Sequence, residues 1–229
     1  MSGFRRQSVG FTIVELMIAV AIVGVIAALA MPGWQQFQIN QRLRDVTRAG
    51  ANMVNTARSQ AIATGNNHIL YLATAGGTDA CGNPLVDAQG RAVPMLVLDD
   101  GPPGPGTNCC IDAGERVLTE PVFTRPGVMD NVNWGATFAA AAAPNDSGGG
   151  DYATGSSFSD ANGNQSRWVM FRPDGIPVGF TAACVVGQIG SGAGGFYVTN
   201  TSRDYSVVVT PLGGTKVNSF ERGAAAWVN

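Results

Sequence analysis

The residues in this chain that could do chemistry are few, and their spacing narrows what they could do. One histidine, His68, opens a stretch of strand-forming residues. A single histidine excludes a two-histidine zinc site, and without a G-x-S-x-G elbow a Ser-His-Asp hydrolase has no anchor. The four cysteines, Cys81, Cys109, Cys110 and Cys184, lack the paired short spacing of a zinc site. They suit oxidation instead, since an even count in an oxidising compartment points to two disulfides, with three pairings open. Adjacent cysteines rarely bridge each other without strain. Cys109 and Cys110 are therefore expected to take different partners, one being Cys81 and the other Cys184. No catalytic residue, metal or cofactor is assigned.

Three other patterns fail on context. Gly101-Pro-Pro-Gly104-Pro-Gly106 holds two collagen-like triplets, too few for a triple helix, and reads as a stiff loop. Gly190-Ser-Gly192-Ala-Gly194-Gly195 matches G-x-G-x-x-G but is followed by strand-like Phe196-Tyr197-Val198 where a dinucleotide fold would open a helix. Asp160-Ala-Asn162-Gly-Asn164 is similar to the start of a calcium loop. Gln165, however, stands where glycine is needed, and Phe171 where the bidentate glutamate should be.

The acid placed where it costs most is Glu15. It interrupts the segment Gly10–Pro32, in which no Lys, Arg, Asn, Gln or His occurs between Phe11 and Met31. A helix of this length, rising 1.5 Å per residue, spans roughly 30 Å, the thickness of a hydrocarbon core. A carboxylate there costs about 2.5–3.5 kcal/mol at the centre and less near an end, which is where Glu15 falls. Arg5 and Arg6 precede the span, and basic flanks stay on the cytoplasmic side, so the bulk of the chain is expected outside the cytoplasm. A secretory signal would be shorter and would end at a small-residue cleavage site. Here the run continues into more helix, and the polar-to-apolar junction comes before it.

Gly10-Phe11-Thr12-Ile13-Val14-Glu15 closely resembles the processing site of type IV pilins and type II secretion pseudopilins. The resemblance extends to Glu15 at the fifth mature position and Pro32 at the twenty-second. It implies cleavage after Gly10 by a membrane prepilin peptidase and N-methylation of Phe11. It also implies that Glu15 pairs with the freed amine of Phe11 on a neighbouring subunit, a contact that favours the ionised carboxylate in a low-dielectric assembly. Residues 1–10 would be a cleaved leader. Residues 11–64 would form the N-terminal helix, with its transmembrane half at 11–32.

After Pro32 and Gly33 an apolar stripe resumes at Ile39, Leu43, Val46, Met53, Ala57 and Ala61, the spacing of a helix face. The stop signal is Thr64-Gly65-Asn66-Asn67. A kink or local melting is expected at Pro32, which has no N–H to donate. Arg44, Arg48 and Arg58 fall in one sector away from the stripe. A polyanion would be repelled by the rest of the chain, which beyond Thr64 carries six more acidic than basic residues. DNA is not expected as a partner. The chain's net charge is −2, and loss of Arg5 and Arg6 with the leader would take the mature side chains to −4.

Residues 65–229 read as a β-rich periplasmic or extracellular domain. Strands are expected at His68–Ala73, Val93–Leu98, Val117–Phe123, Arg167–Arg172, Gly195–Thr199, Tyr205–Thr210 and Thr215–Phe220, with a Pro173-Asp174-Gly175 turn. The fold class is α+β, an antiparallel sheet-rich domain packed on the amphipathic half of a long helix. Asn40 to Arg44, Ala57 to Ala61, Phe171 to Gly175 and Val207 to Gly213 resemble the minor-pilin and H-type pseudopilin branch, the FimU, FimT and GspH-like proteins. Residues 74–165 depart from it and are expected to hold loop insertions. DNA-binding relatives resemble a Gly-Arg-x-Arg pattern near the C-terminus, where this chain has Gly214-Thr215-Lys216-Val217.

The resemblance implies a structural, non-enzymatic subunit. The leading expectation is a minor pilin that primes assembly or forms the tip of a type IV pilus, serving motility and adhesion. The alternatives are an H-type pseudopilin of type II secretion and a DNA-uptake pilin. Expected partners are other minor and major pilins or pseudopilins, the prepilin peptidase, the inner membrane and a tip adhesin. The expected location is the inner membrane, single-pass with a cytoplasmic N-terminus, and then the surface pilus.

Overall fold

The computed structural model describes residues 11–74, 77–104, 107–200, 202–223 and 225–228. It begins with one α-helix, α1 (Ile13–Thr64). The helical run passes through Pro32 without melting, because a proline removes only its own N–H bond and the flanking turns keep theirs. The chain divides into two units, the first ending at Gln38 and the second running Ile39–Asn229.

In the second unit Leu43, Val46, Met53, Ala57 and Ala61 of the stripe read from the sequence are in the core, joined by Val54, while Ile39 at its start is half-buried. Ten strands follow among the described residues: β1 (His68–Leu72), β2 (Met95–Asp99), β3 (Arg116–Leu118), β4 (Asn133–Trp134), β5 (Trp168–Phe171), β6 (Pro177–Val178), β7 (Gly194–Thr199), β8 (Asp204–Val209), β9 (Thr215–Glu221) and β10 (Ala226–Val228). They form two antiparallel five-stranded sheets, ordered β3-β2-β1-β5-β6 and β10-β9-β8-β7-β4. The α+β, pilin-like fold is therefore observed, but with two sheets on the helix where one was expected.

The reason lies in strand alternation. Leu70, Leu72, Met95, Val97, Val169 and Phe171 of the first sheet, with Phe196, Val198, Val207 and Val209 of the second, join the helix residues in one core. The alternate residues of the first sheet, Ile69, Tyr71, Leu96, Leu98 and Met170, point the other way into a second core closed by Leu85, Val93, Cys109 and Phe180. A third, smaller core, Tyr197, Val208 and Ala143 with Tyr152 and Trp227 against it, covers the outer face of the second sheet. Both faces of β1 are thus covered, which is why all five of its residues are buried.

All seven expected strands are present, with shifted ends. β3 stops at Leu118 because Pro121 follows and Phe123 N–H turns back to the Glu120 carbonyl at 2.9 Å. The short edge strands β4, β6 and β10 escaped the sequence reading, since two or three residues carry no visible alternation. The stretch 74–165, besides loops, contributes β2, next to β1 in the first sheet, and the edge strands β3 and β4.

Gly50 sets the distance between helix and second sheet. A Cβ built there would lie 2.4 Å from Cζ of Phe196. On an open helix, replacing Gly by Ala gains about 0.5–1 kcal/mol. Here overpacking, costing about 1–3 kcal/mol, reverses the sign. Gly50→Ala is expected to lower the urea midpoint with an unchanged slope, and a raised midpoint would show that Phe196 gives way freely.

Candidate functional site

The first unit presents an apolar surface with nothing over it. Ile13, Leu16, Ile18, Val20, Ile22, Val25 and Leu29 are all more than half exposed. By length and composition α1 can cross a membrane, with a mean hydropathy of 2.7 over its most apolar window. The apolar surface extends past Pro32 to Trp34 and Phe37, whose rings lie 6.0 Å apart and line a groove with Ala27, Ala30 and Gly33. Aromatic residues at the end of a span are suited to the membrane–water boundary.

The helix start is a reciprocal cap. Glu15 N–H donates to Thr12 Oγ1 (3.2 Å), while Glu15 Oε2 accepts from the Thr12 N–H (2.9 Å) and Thr12 Oγ1 (2.8 Å). This is the T-x-x-E capping box, which satisfies donors that a helix start leaves without partners. Thr12 was not singled out in the sequence reading, although the spacing was visible there. Phe11 lies immediately before the cap and is 83% exposed. Gly10, on the other side of the expected cleavage point, lies outside the described residues, as does the leader. Pro32 lies within α1.

The basic sector is divided by the fold. Arg44 Nε donates to the Tyr205 hydroxyl (3.3 Å) and Arg58 Nε to the Gly175 carbonyl (3.2 Å), so two of the three arginines tie the helix to the β-domain. Arg48 stays exposed. His68 is buried at the start of β1, its Nε2 3.7 Å from Asp99 Oδ2.

The four cysteines form Cys81–Cys110 and Cys109–Cys184, with Cα separations of 5.6 and 5.4 Å. The neighbours Cys109 and Cys110 thus take different partners, and the bridges fasten the loops at 81, 109–110 and 184 beside the second core. Asp79, buried, orders the same region by accepting from the N–H groups of Cys81 (2.9 Å), Asn83 (2.7 Å) and Ile111 (2.8 Å).

Asp79-Ala-Cys-Gly-Asn83 is one of three copies of a single turn, the others being Asp87-Ala-Gln-Gly-Arg91 and Asp160-Ala-Asn-Gly-Asn164. In each, one aspartate oxygen accepts from the N–H groups two and four residues on, at 2.7–2.9 Å, and the other takes the side chain of the fifth residue. The glycine sits at φ +90°, +76° and +82° in turn, where a side chain would be strained. Asp160 therefore closes a hairpin turn, and its oxygens are occupied by its own loop. The repeat was legible in the sequence but was read there only as a failed calcium loop. Gly190–Ala193 is irregular and leads into β7 at Gly194, without the helix a dinucleotide loop requires.

A family profile described as the prokaryotic N-terminal methylation motif matches residues 5–31. The chain carries the N-terminal methylation motif of type IV pilins. It is 45% identical over 42 residues to the type IV major pilin protein PilA of Myxococcus xanthus, covering 18% of this chain and 19% of that one. It is 43% identical over 58 residues to a fimbrial protein of Pseudomonas aeruginosa, covering 24% of this chain and 36% of that one. The matches thus span about a fifth to a third of the length of these curated relatives. No solved structure matches the chain. In this pilin-like protein the matched motif lies on the helix and its approach, while the two-sheet domain is described by its own structure.

Proposed function

We propose that this pilin-like chain is a minor pilin of a type IV pilus, a structural subunit that enters the filament through its N-terminal helix and acts in priming or at the tip. The observation that carries the reading is the helix itself: an uncovered apolar surface whose only charged group, Glu15, stands one turn from the start. Such a surface needs lipid before assembly and other helices after it. In this reading prepilin peptidase cuts after Gly10, Phe11 is methylated, and the β-domain faces the periplasm, where the cysteines are oxidised. The disulfide-tied, turn-rich domain is then displayed on the filament with other pilins and a tip adhesin as its neighbours. Engagement of Arg44 and Arg58 by the protein itself argues against DNA as a ligand.

Two measurements test this. Intact mass of the membrane-extracted protein should place the mature terminus at Phe11 with one added methyl group, and Gly10→Val should retain the leader. A terminus between Ala27 and Trp34 would mean an ordinary signal peptide. Deletion should abolish or reduce surface piliation, whereas loss of exoprotein release with normal piliation would assign the chain to type II secretion.

A further inference from the structure

Cys109 is held from three sides. Its N–H donates to Asp100 Oδ1 (3.1 Å), its carbonyl accepts from the Tyr71 hydroxyl on β1, and its sulfur is bridged to Cys184. Its φ of +57° is one that residues other than glycine seldom adopt. Asp100, just past β2, is 3% exposed, and its second oxygen, Oδ2, is buried with no hydrogen-bond partner. One Asp100 carboxylate oxygen and the sulfurs of Cys109 and Cys184 lie within 4.8 Å of one another.

We propose that Asp100 carries the proton in thiol–disulfide exchange at Cys109–Cys184, so that this bridge opens and closes through its carboxyl group while Cys81–Cys110 exchanges without that help. Cys184 is half-buried and Cys109 fully buried, so an external reagent reaches Cys184 first. On closing, the Cys184 thiolate attacks a disulfide oxidant, whose own S–S bond breaks, giving a mixed disulfide at Cys184 and releasing the oxidant's other sulfur as a thiolate. Asp100 then takes the Cys109 S–H proton, the Cys109 thiolate attacks Cys184 Sγ, and the oxidant leaves as the reduced thiolate. On opening, a nucleophile bonds to Cys184 Sγ, the Sγ–Sγ bond breaks, and Cys109 departs with the electron pair and takes the proton of Asp100.

The surroundings suit a carboxyl group that holds a proton near neutral pH. Burial lifts the Asp100 pKa to about 6, opposed by the N–H groups of Cys109 and Asn108 and reinforced by Glu115 and then Asp112. Glu115 and Asp112 lie just before β3, the Tyr71 hydroxyl is committed to Cys109, and His68 and Asp99 pair at the neighbouring strand ends. A thiolate leaving beside an ionised carboxylate is disfavoured by like charge, and a poorer leaving group slows exchange.

The test is reduction of the oxidised protein by a water-soluble trialkylphosphine, which becomes the phosphine oxide with oxygen from water. Each bridge is followed by alkylation and peptide mass between pH 5 and pH 7. The ratio of opening rates, Cys109–Cys184 over Cys81–Cys110, cancels the reagent's own pH dependence. In the wild type this ratio should fall about tenfold across the window as the carboxyl group loses its proton. In Asp100→Asn it should be flat. If that variant does not fold, the wild-type ratio decides alone. A flat wild-type ratio, or an unchanged fall in folded Asp100→Asn, overturns the proposal.

Discussion

Glu15→Ala is expected to remain in the membrane and be cleaved after Gly10, yet to be missing from sheared filaments. Removing the carboxylate makes the span more apolar, so insertion should not suffer. Two interactions are lost. The first is within the subunit: Glu15 completes the capping box with Thr12, a contribution of about 1 kcal/mol. The second is proposed for the filament, where the freed amine of Phe11 on a neighbouring subunit would enter the core unpaired. Leaving such a charge uncompensated costs about 3–5 kcal/mol, enough to suppress incorporation by roughly two to four orders of magnitude.

Glu15→Gln separates the two interactions. The amide oxygen can still accept from the Thr12 N–H, so the cap survives, but the negative charge is gone. If capping is what assembly needs, Gln restores incorporation. If pairing with the amine is what it needs, Gln fails as Ala does. Fractionation with an antibody to the β-domain reads all three proteins, and wild-type filament levels of Glu15→Ala would remove Glu15 from assembly altogether.

Asp204→Ala should be among the most destabilising single changes in the β-domain. The side chain, fully buried on β8, accepts from the N–H groups of Thr137 (3.1 Å), Phe138 (2.6 Å) and Ala139 (2.8 Å) and from Thr199 Oγ1 (2.6 Å). Those bonds fasten the loop that covers the outer face of the second sheet. Further along it, the Ala143 N–H donates to the Tyr197 hydroxyl (3.0 Å), and the Ala141 carbonyl accepts from Trp227 Nε1 (2.9 Å). Truncation takes the acceptor from three loop N–H groups, the Thr199 hydroxyl being able to turn to the Asn200 (3.1 Å) or Arg203 (3.3 Å) carbonyl, and a buried donor without a partner costs about 1–3 kcal/mol. Allowing for relaxation and some water entry, the expected loss is about 3–5 kcal/mol in urea unfolding of the oxidised protein. Asp204→Asn should fall between, since one oxygen still accepts while the amide turns its own donors toward the loop. A loss below about 1 kcal/mol for Ala would mean that the loop is held by its apolar contacts alone.

How far the sequence could be read depended on the range of the interaction. The helix was legible over nearly its whole length, because the apolar run, the T-x-x-E start, the stripe from Leu43 to Ala61 and the Thr64-Gly65 stop are periodic or local signals. The seven expected strands were legible for the same reason, although β3 is no longer than β10. The expectation that Cys109 and Cys110 would take different partners came from covalent geometry alone, but which took Cys81 and which Cys184 required the loops to be placed.

By itself the sequence determined the pilin-like start, the membrane-compatible helix, the α+β class and the set of cysteines available for bridging. Tertiary structure alone decided that the strands divide into two sheets, that the first sheet has a core on each face, that Arg44 and Arg58 serve the fold, and that Asp100 lies beside one disulfide and away from hydrogen-bond partners for Oδ2. The physical reason is that periodicity and turn chemistry act between residues a few positions apart. Sheet partition, burial of a lone carboxyl group and the docking of a guanidinium on a carbonyl 117 residues away depend on which surfaces meet after the chain has closed on itself.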